Sequence, residues 1–162
     1  FDLDPIALAV VRPDKAFEKH SPSAWKMSGA WPSWTWDGCE GKKTVVEVYT
    51  AAHTAALFIN GKEVGRKKVG KDAVAEFKAV YEPGEIVAVA YDEAGKEVGR
   101  ASLRSGGKET VLRALPEQES IGKEDLAYIR LQYTDNAGEV KMLARGEIGV
   151  QVEGGTRQRL PV

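Results

Sequence analysis

From Thr44 onward the chain alternates apolar and polar residues in short runs bounded by turn residues. Val46, Val48 and Thr50 share one parity, with Glu47 and Tyr49 on the other, the period of two that marks a strand with one buried face. Leu57 and Ile59 lead into Asn60-Gly61, and a return runs through Val64 and Arg66. Asn-Gly suits a two-residue hairpin because both central residues take positive φ. Ala75, Phe77, Ala79 and Tyr81 line one face of the next strand, opposite Glu76 and Lys78, and Glu82-Pro83-Gly84-Glu85 closes it as a type II turn. Ile86 to Tyr91 is apolar on both faces, the mark of a central strand. Asp92 to Gly95 then turns the chain into a last strand, Lys96 to Leu103. Turn signals about every 8 to 12 residues and no helical period predict an antiparallel β-sandwich.

The flanks differ. Residues 1–43 hold Pro5, Pro13, Pro22 and Pro32, which exclude long helices because each ring removes a donor and restricts its predecessor. The apolar run Ile6 to Val11 is predicted as a buried leader strand. All the tryptophans, Trp25, Trp31, Trp34 and Trp36, and the sole cysteine, Cys39, crowd the joining segment that follows. Beyond Ser105-Gly106-Gly107-Lys108 the pattern predicts a strand over Thr110 to Leu115, another carrying Ile129, Leu131 and Tyr133, a turn at Asp135 to Gly138, and a last alternation at Ile148, Val150 and Val152. The chain therefore divides into a leader strand with a tryptophan-rich joining segment (1–43), an immunoglobulin-like β-sandwich (44–105) and a second module (106–162). The last is shorter than the roughly 100 residues a complete immunoglobulin-like sandwich takes, so it is expected to be partial. The hexapeptide Gly-Lys-Glu-Val-Gly-Arg occurs at 61–66 and again at 95–100; without helical periodicity or matching flanks, both copies read as hairpin returns.

Charge and composition narrow the function. With 23 basic and 24 acidic residues the net charge is −1, so no strong field steers the chain to nucleic acid or an anionic membrane. No apolar run approaches the roughly 20 residues of a spanning helix, and the chain as given reads as soluble, its compartment open. A single cysteine excludes an internal disulfide. The start at Phe1 is expected to reflect processing or excision from a longer polypeptide.

Motifs that would carry chemistry are weak. Gly65 to Asp72 has the glycine and lysine spacing of a phosphate loop, but Asp72 stands where Ser or Thr must hold magnesium, and a strand follows instead of a helix. Cys39, His20 and His53 lack the close spacing of zinc ligands and offer no base at a recognisable offset from the thiol; a metal, a cofactor and a cysteine nucleophile are not expected. Glu63, Glu76, Glu82, Glu85 and Glu97 fall at turns or on polar faces, where solvated charge is the default. The tryptophans remain. Trp34 and Trp36 share a face if the segment is extended, with Trp31 displaced by Pro32. Flat indoles suit stacking on sugars or burial against a core or another domain, and burial is the favoured reading.

The order of motifs carries a resemblance. Pro32-Ser-Trp-Thr-Trp-Asp-Gly-Cys-Glu-Gly-Lys42, Val46-Glu-Val-Tyr49, Leu57-Phe-Ile-Asn-Gly-Lys62, Tyr81-Glu-Pro-Gly-Glu85 and Ala88-Val-Ala-Tyr91 resemble an immunoglobulin-like domain found C-terminal to the catalytic barrel in glycoside hydrolase family 2, the β-galactosidase family. Ile6 to Pro13 looks like the segment entering that domain from the barrel, and Glu124 to Ile129 with Asp135 to Gly138 looks like the start of the next immunoglobulin-like domain. The resemblance implies that the catalytic glutamates belong to a barrel before Phe1, so none is carried onto this sequence. The expectation is a non-catalytic accessory region of a β-galactosidase-like hydrolase, with the barrel of the same polypeptide as partner, an aromatic seam partly uncovered in the isolated chain, and room for a homo-oligomer through the parent. The alternatives are a carbohydrate-binding module that holds galactoside-type sugars on Trp25, Trp31, Trp34 and Trp36, and an adhesion or assembly module.

Overall fold

A computed structural model describes residues 5–18, 28–120, 122 and 126–151. Among them the chain is all-β, and no helix is long and apolar enough to cross a membrane. The strands are β1 (Ile6–Val11), β2 (Ala30–Trp31), β3 (Lys43–Thr50), β4 (Thr54–Ile59), β5 (Lys62–Lys68), β6 (Val74–Val80), β7 (Glu85–Tyr91), β8 (Glu97–Arg104), β9 (Val111–Pro116) and β10 (Ile129–Thr134). Two antiparallel four-stranded sheets form, in the orders β2-β1-β3-β6 and β5-β4-β7-β8. The core lies between them: Leu8, Val10, Val46, Val48 and Phe77 come from the first sheet, and Leu57, Ile86 and Ala88 from the second. This is the immunoglobulin-like sandwich that the alternation predicts.

Local chemistry sets the turns. Asn60 and Gly61 both take positive φ, 49° and 80°, as a type I′ hairpin requires. Gly84 sits at φ 132°, and the Asn60 carboxamide spans this corner, donating to Pro83 O at 3.1 Å and accepting from Glu85 N at 2.9 Å.

The leader is part of the sandwich. β1 pairs with β3 from Ile6↔Thr50 to Val10↔Val46, and only Ile6, Leu8 and Val10 face the core. β3 departs from simple alternation because Glu47, on its outer face, is buried and accepts a hydrogen bond from Tyr49 Oη.

The repeated hexapeptides form the two outer strands of the second sheet, β5 and β8. In each the register slips by one residue: Leu57 pairs with Gly65 but Phe58 with Glu63, and Ala90 pairs with Gly99 but Tyr91 with Glu97. Val64 and Val98 are therefore matching bulge residues, and each bulge is spanned by a Glu–Arg pair, Glu63–Arg66 at 3.3 Å and Glu97–Arg100 at 3.0 Å. One motif caps both edges of the sheet, since bulges and charges discourage further strand pairing.

Beyond the sandwich the chain forms the antiparallel pair β9–β10, in register from Val111↔Thr134 to Pro116↔Ile129, and an isolated bridge, Thr134↔Val140. The alternation at Ile148 and Val150 does not produce a strand: residues 141–151 contain none, and both side chains are exposed. A period of two becomes a strand only where a neighbouring ladder takes its backbone groups. Val152 lies outside the described residues.

Candidate functional site

The best-defined polar arrangement is built around Trp34–Asp37, where the sandwich meets the segment that follows β8. Trp34 is fully buried. Its ring meets Tyr81 edge-on, with centroids 4.9 Å apart at 75°, and its Nε1 donates to Glu82 O at 3.0 Å. Two hydroxyls converge on its carbonyl: Ser105 Oγ donates to Trp34 O at 2.6 Å and Tyr81 Oη donates to the same oxygen at 3.3 Å, while Trp36 N donates to Tyr81 Oη at 3.1 Å. Trp36 is also buried, and its Nε1 has no partner among the described residues. Cys39 is a buried free thiol; burial pushes its pKa up, which keeps it neutral and a poor nucleophile.

From this aromatic base a second layer reaches across the linker. Gly106 N donates to Thr35 Oγ1 at 2.9 Å, and Gly107 N donates to Asp135 Oδ2 at 2.7 Å. Asp135 Oδ1 also accepts from Gly138 N and Glu139 N, each at 2.8 Å. These backbone donors, Gly107 first, hold the Asp135 carboxyl below the usual carboxylate range. Lys141, with its side chain 1% exposed, donates to Asp37 Oδ2 at 2.9 Å and to Gly107 O. Met142 and Leu143, next in sequence, pack against the sandwich core. The seam is a clasp: one buried cation, one multiply capped carboxylate and two apolar side chains tie residues 135–143 to residues 34–37 and 105–107.

The predicted site residues separate. Trp34 and Trp36 are not the uncovered indoles expected, because their cover comes from within the chain, from Tyr81, Ser105 and the surrounding core. Neither presents a face to a sugar. Trp31, at the end of edge strand β2, is 55% exposed, and Trp25 lies outside the described residues, as does His20. His53 immediately precedes β4, and its Nδ1 lies 3.0 Å from Thr54 Oγ1. No group of three or more His, Cys, Asp or Glu that could hold a metal occurs among the described residues. Sequence reasoning missed Asp37, Lys141 and Ser105; Asp135 it took as a turn residue and nothing more.

The fold and seam define a class: an immunoglobulin-like sandwich with a further β unit clasped to it. Residues 41–99 match the family described as "Domain of unknown function (DUF4982)". Among solved structures, a glycosyl hydrolase family 2 member from Bacteroides cellulosilyticus DSM 14838 is 31% identical with a TM-score of 0.68, over 86% of this chain and 19% of that one. A β-glycosidase from Bacteroides vulgatus, 22% identical over 85% of this chain and 15% of its own, has a TM-score of 0.54. A β-glucuronidase from glycoside hydrolase family 2, 22% identical over 71% of this chain and 12% of its own, has a TM-score of 0.58; at this identity both show the fold alone. No curated protein sequence matches the chain significantly. The chain thus spans about a fifth of the length of the first of these structures. Its sequence and fold are similar to part of that glycosyl hydrolase family 2 member, in keeping with the resemblance its motifs carry.

Proposed function

We propose that this chain is a non-catalytic accessory region of a glycoside hydrolase, holding the catalytic barrel and a further β module in fixed relation. The observation that carries this reading is the clasp itself. Trp34, Thr35, Asp37, Asp135 and Lys141 all spend their polar groups on one another or on backbone, so the aromatic seam does structural work. The partner in this reading is the barrel of the same polypeptide, and any homo-oligomer forms through the parent enzyme. The parent is proposed to cleave β-glycosides, with β-galactosides the class that the motif order implies.

The second module fits the same reading. The pairs Leu112↔Tyr133, Ala114↔Leu131 and Pro116↔Ile129 put six apolar residues on one face of β9–β10, and Leu112, Leu131 and Ile129 are exposed. A two-stranded sheet is marginal alone; this face is read as half of a second sandwich, its facing sheet supplied elsewhere in the polypeptide.

The direct test assays the isolated chain on aryl β-galactosides, β-glucosides and β-glucuronides. No turnover is expected, and turnover abolished by a single glutamate substitution would overturn the reading. Sugar contact, if it occurs among the described tryptophans, falls on Trp31, the only one of the three with an exposed ring. Galactose titration of tryptophan fluorescence tests that second reading, which is lost if a Trp31→Ala variant and the original chain respond alike.

A further inference from the structure

The sandwich has four outer strands, and they are not equally guarded. β5 and β8 carry the matching bulges and Glu–Arg pairs. β2 is only two residues long. β6 is seven residues long, and its register with β3 runs without a break from Lys43↔Val80 to Tyr49↔Val74. A long, regular edge is a template for strand pairing wherever its backbone groups are left open.

The open groups on β6 can be assigned. In an antiparallel ladder the N–H and C=O of one residue point the same way, and successive residues alternate. Tyr81 N donates to Lys42 O, and Thr50 N donates to Ala73 O, each at 2.9 Å, so odd-numbered residues face β3. Even-numbered residues therefore turn their N–H and C=O outward. Two of these carbonyls are occupied: Val74 O accepts from Gly70 N at 3.3 Å, and Glu76 O accepts from Lys67 Nζ at 2.7 Å. The backbone groups of Lys78 and Val80 have no partner among the described residues.

Beside this free end lies a groove of about 690 Å³, lined by Phe17, Lys43, Val64, Lys78, Ala79 and Val80. Phe17, Val64 and Val80 expose apolar surface into it. Lys43 and Lys78 bring two positive charges, neither in an ion pair with a described residue, and no carboxylate lines this section. The nearest carboxylates line two neighbouring grooves that share Val64 with it, Glu76 in one and Glu63 and Glu82 in the other.

We propose that the Lys78–Val80 end of β6 accepts an added strand from a partner segment of alternating apolar and acidic residues. Its backbone bonds to the outward groups of Lys78 and Val80. Its apolar side chains enter between Phe17, Val64 and Val80, and its carboxylates meet Lys43 and Lys78. Backbone pairing supplies affinity in this mode and alternate side chains supply selectivity. The proposal does not depend on the accessory role argued above, since it rests on the edge and groove alone.

The test is a titration of the purified chain with a fluorescein-labelled hexapeptide alternating valine and aspartate, read by anisotropy. Three controls accompany it: the valine–lysine counterpart, the valine–aspartate peptide N-methylated at alternate residues, and free glucuronate as competitor. Lys78→Pro removes an outward N–H that β3 does not use; the doubly substituted Lys43→Glu, Lys78→Glu chain reverses the charge without touching the backbone. The expected result is saturable binding of the valine–aspartate peptide, weakened at least about tenfold by N-methylation and by each variant, and weakened by salt. Near-ultraviolet circular dichroism from the buried tryptophans checks that each variant is folded; should Lys78→Pro fail to fold, the charge variant and the methylated peptide decide. Absence of binding, equal binding of the lysine peptide, indifference to N-methylation, displacement by glucuronate, or self-association of the chain through this edge would each overturn the proposal.

Discussion

Lys141 Nζ lies 2.9 Å from Asp37 Oδ2, yet the two side chains differ sharply in access to water: the lysine is 1% exposed and the aspartate 55%. The pair is therefore asymmetric. Removing the aspartate leaves an ammonium buried with only the Gly107 carbonyl to hold it, whereas removing the lysine leaves a carboxylate that water can solvate. Asp37→Ala is expected to cost about 2 kcal/mol, and Lys141→Met, which keeps the buried stem, less than about 1 kcal/mol. Urea unfolding of the two variants checks the order, and a larger loss for Lys141→Met would refute it.

The two buried indoles predict a second asymmetry. Trp34 Nε1 donates to Glu82 O, while Trp36 Nε1 has no partner among the described residues. An unpaired buried donor costs about 1 to 3 kcal/mol, so Trp36→Phe recovers that penalty while losing ring volume. Its net effect is expected to stay within about 1 kcal/mol. Trp34→Phe loses a made bond, orphans Glu82 O and opens space beside Tyr81, for a cost of about 2 kcal/mol or more. Thermal unfolding of the two variants gives the comparison directly.

Asp135 makes the clasp sensitive to acid. Its pKa is held down by donors from Gly107, Glu139 and Gly138, so its contribution is fully present above the ordinary carboxylate range near pH 4 and is lost as pH falls through the lower folded value. Amide exchange at Gly107 and Gly138 should accelerate below about pH 4 before the sandwich core opens. An Asp135→Asn variant should lose that acid-dependent step, and an unchanged exchange profile in the variant would count against the assignment.

What could be read in advance follows from how local each signal is. β3 to β8 were legible because alternation and turn chemistry, such as Asn60-Gly61 and Pro83-Gly84, are encoded within a few neighbouring residues. The burial of Trp34 was not, because Tyr81 and Ser105, which close over it, lie 47 and 71 residues away. Lys141 carries no signal either: a lysine after a turn reads as solvated until Asp37 and Gly107 are seen beside it. The alternation at Ile148 and Val150 misled for the opposite reason, since the local pattern was present without a ladder to use it. The hexapeptide repeat was rightly read as two hairpin returns, but not as the two capped edges of a single sheet.

Those two copies also give a prediction that sequence identity conceals. A methyl group on Gly65 would lie 3.5 Å from Phe77 Cδ1, an ordinary contact, whereas one on Gly99 would lie 3.0 Å from Pro5 Cγ and 3.2 Å from Ile6 Cγ2. Ile6 is buried in β1 and fixed by its pairing with Thr50, so it has little room to yield. Gly65→Ala is expected to be neutral or stabilising by up to about 0.5 kcal/mol, through the reduced freedom of the unfolded chain. Gly99→Ala is expected to destabilise by about 1 kcal/mol, because β1 must shift against the core. Chemical denaturation of the two single variants decides the matter: equal effects would mean that β1 relaxes freely at Gly99, and that the leader strand is held less tightly than its register with β3 implies.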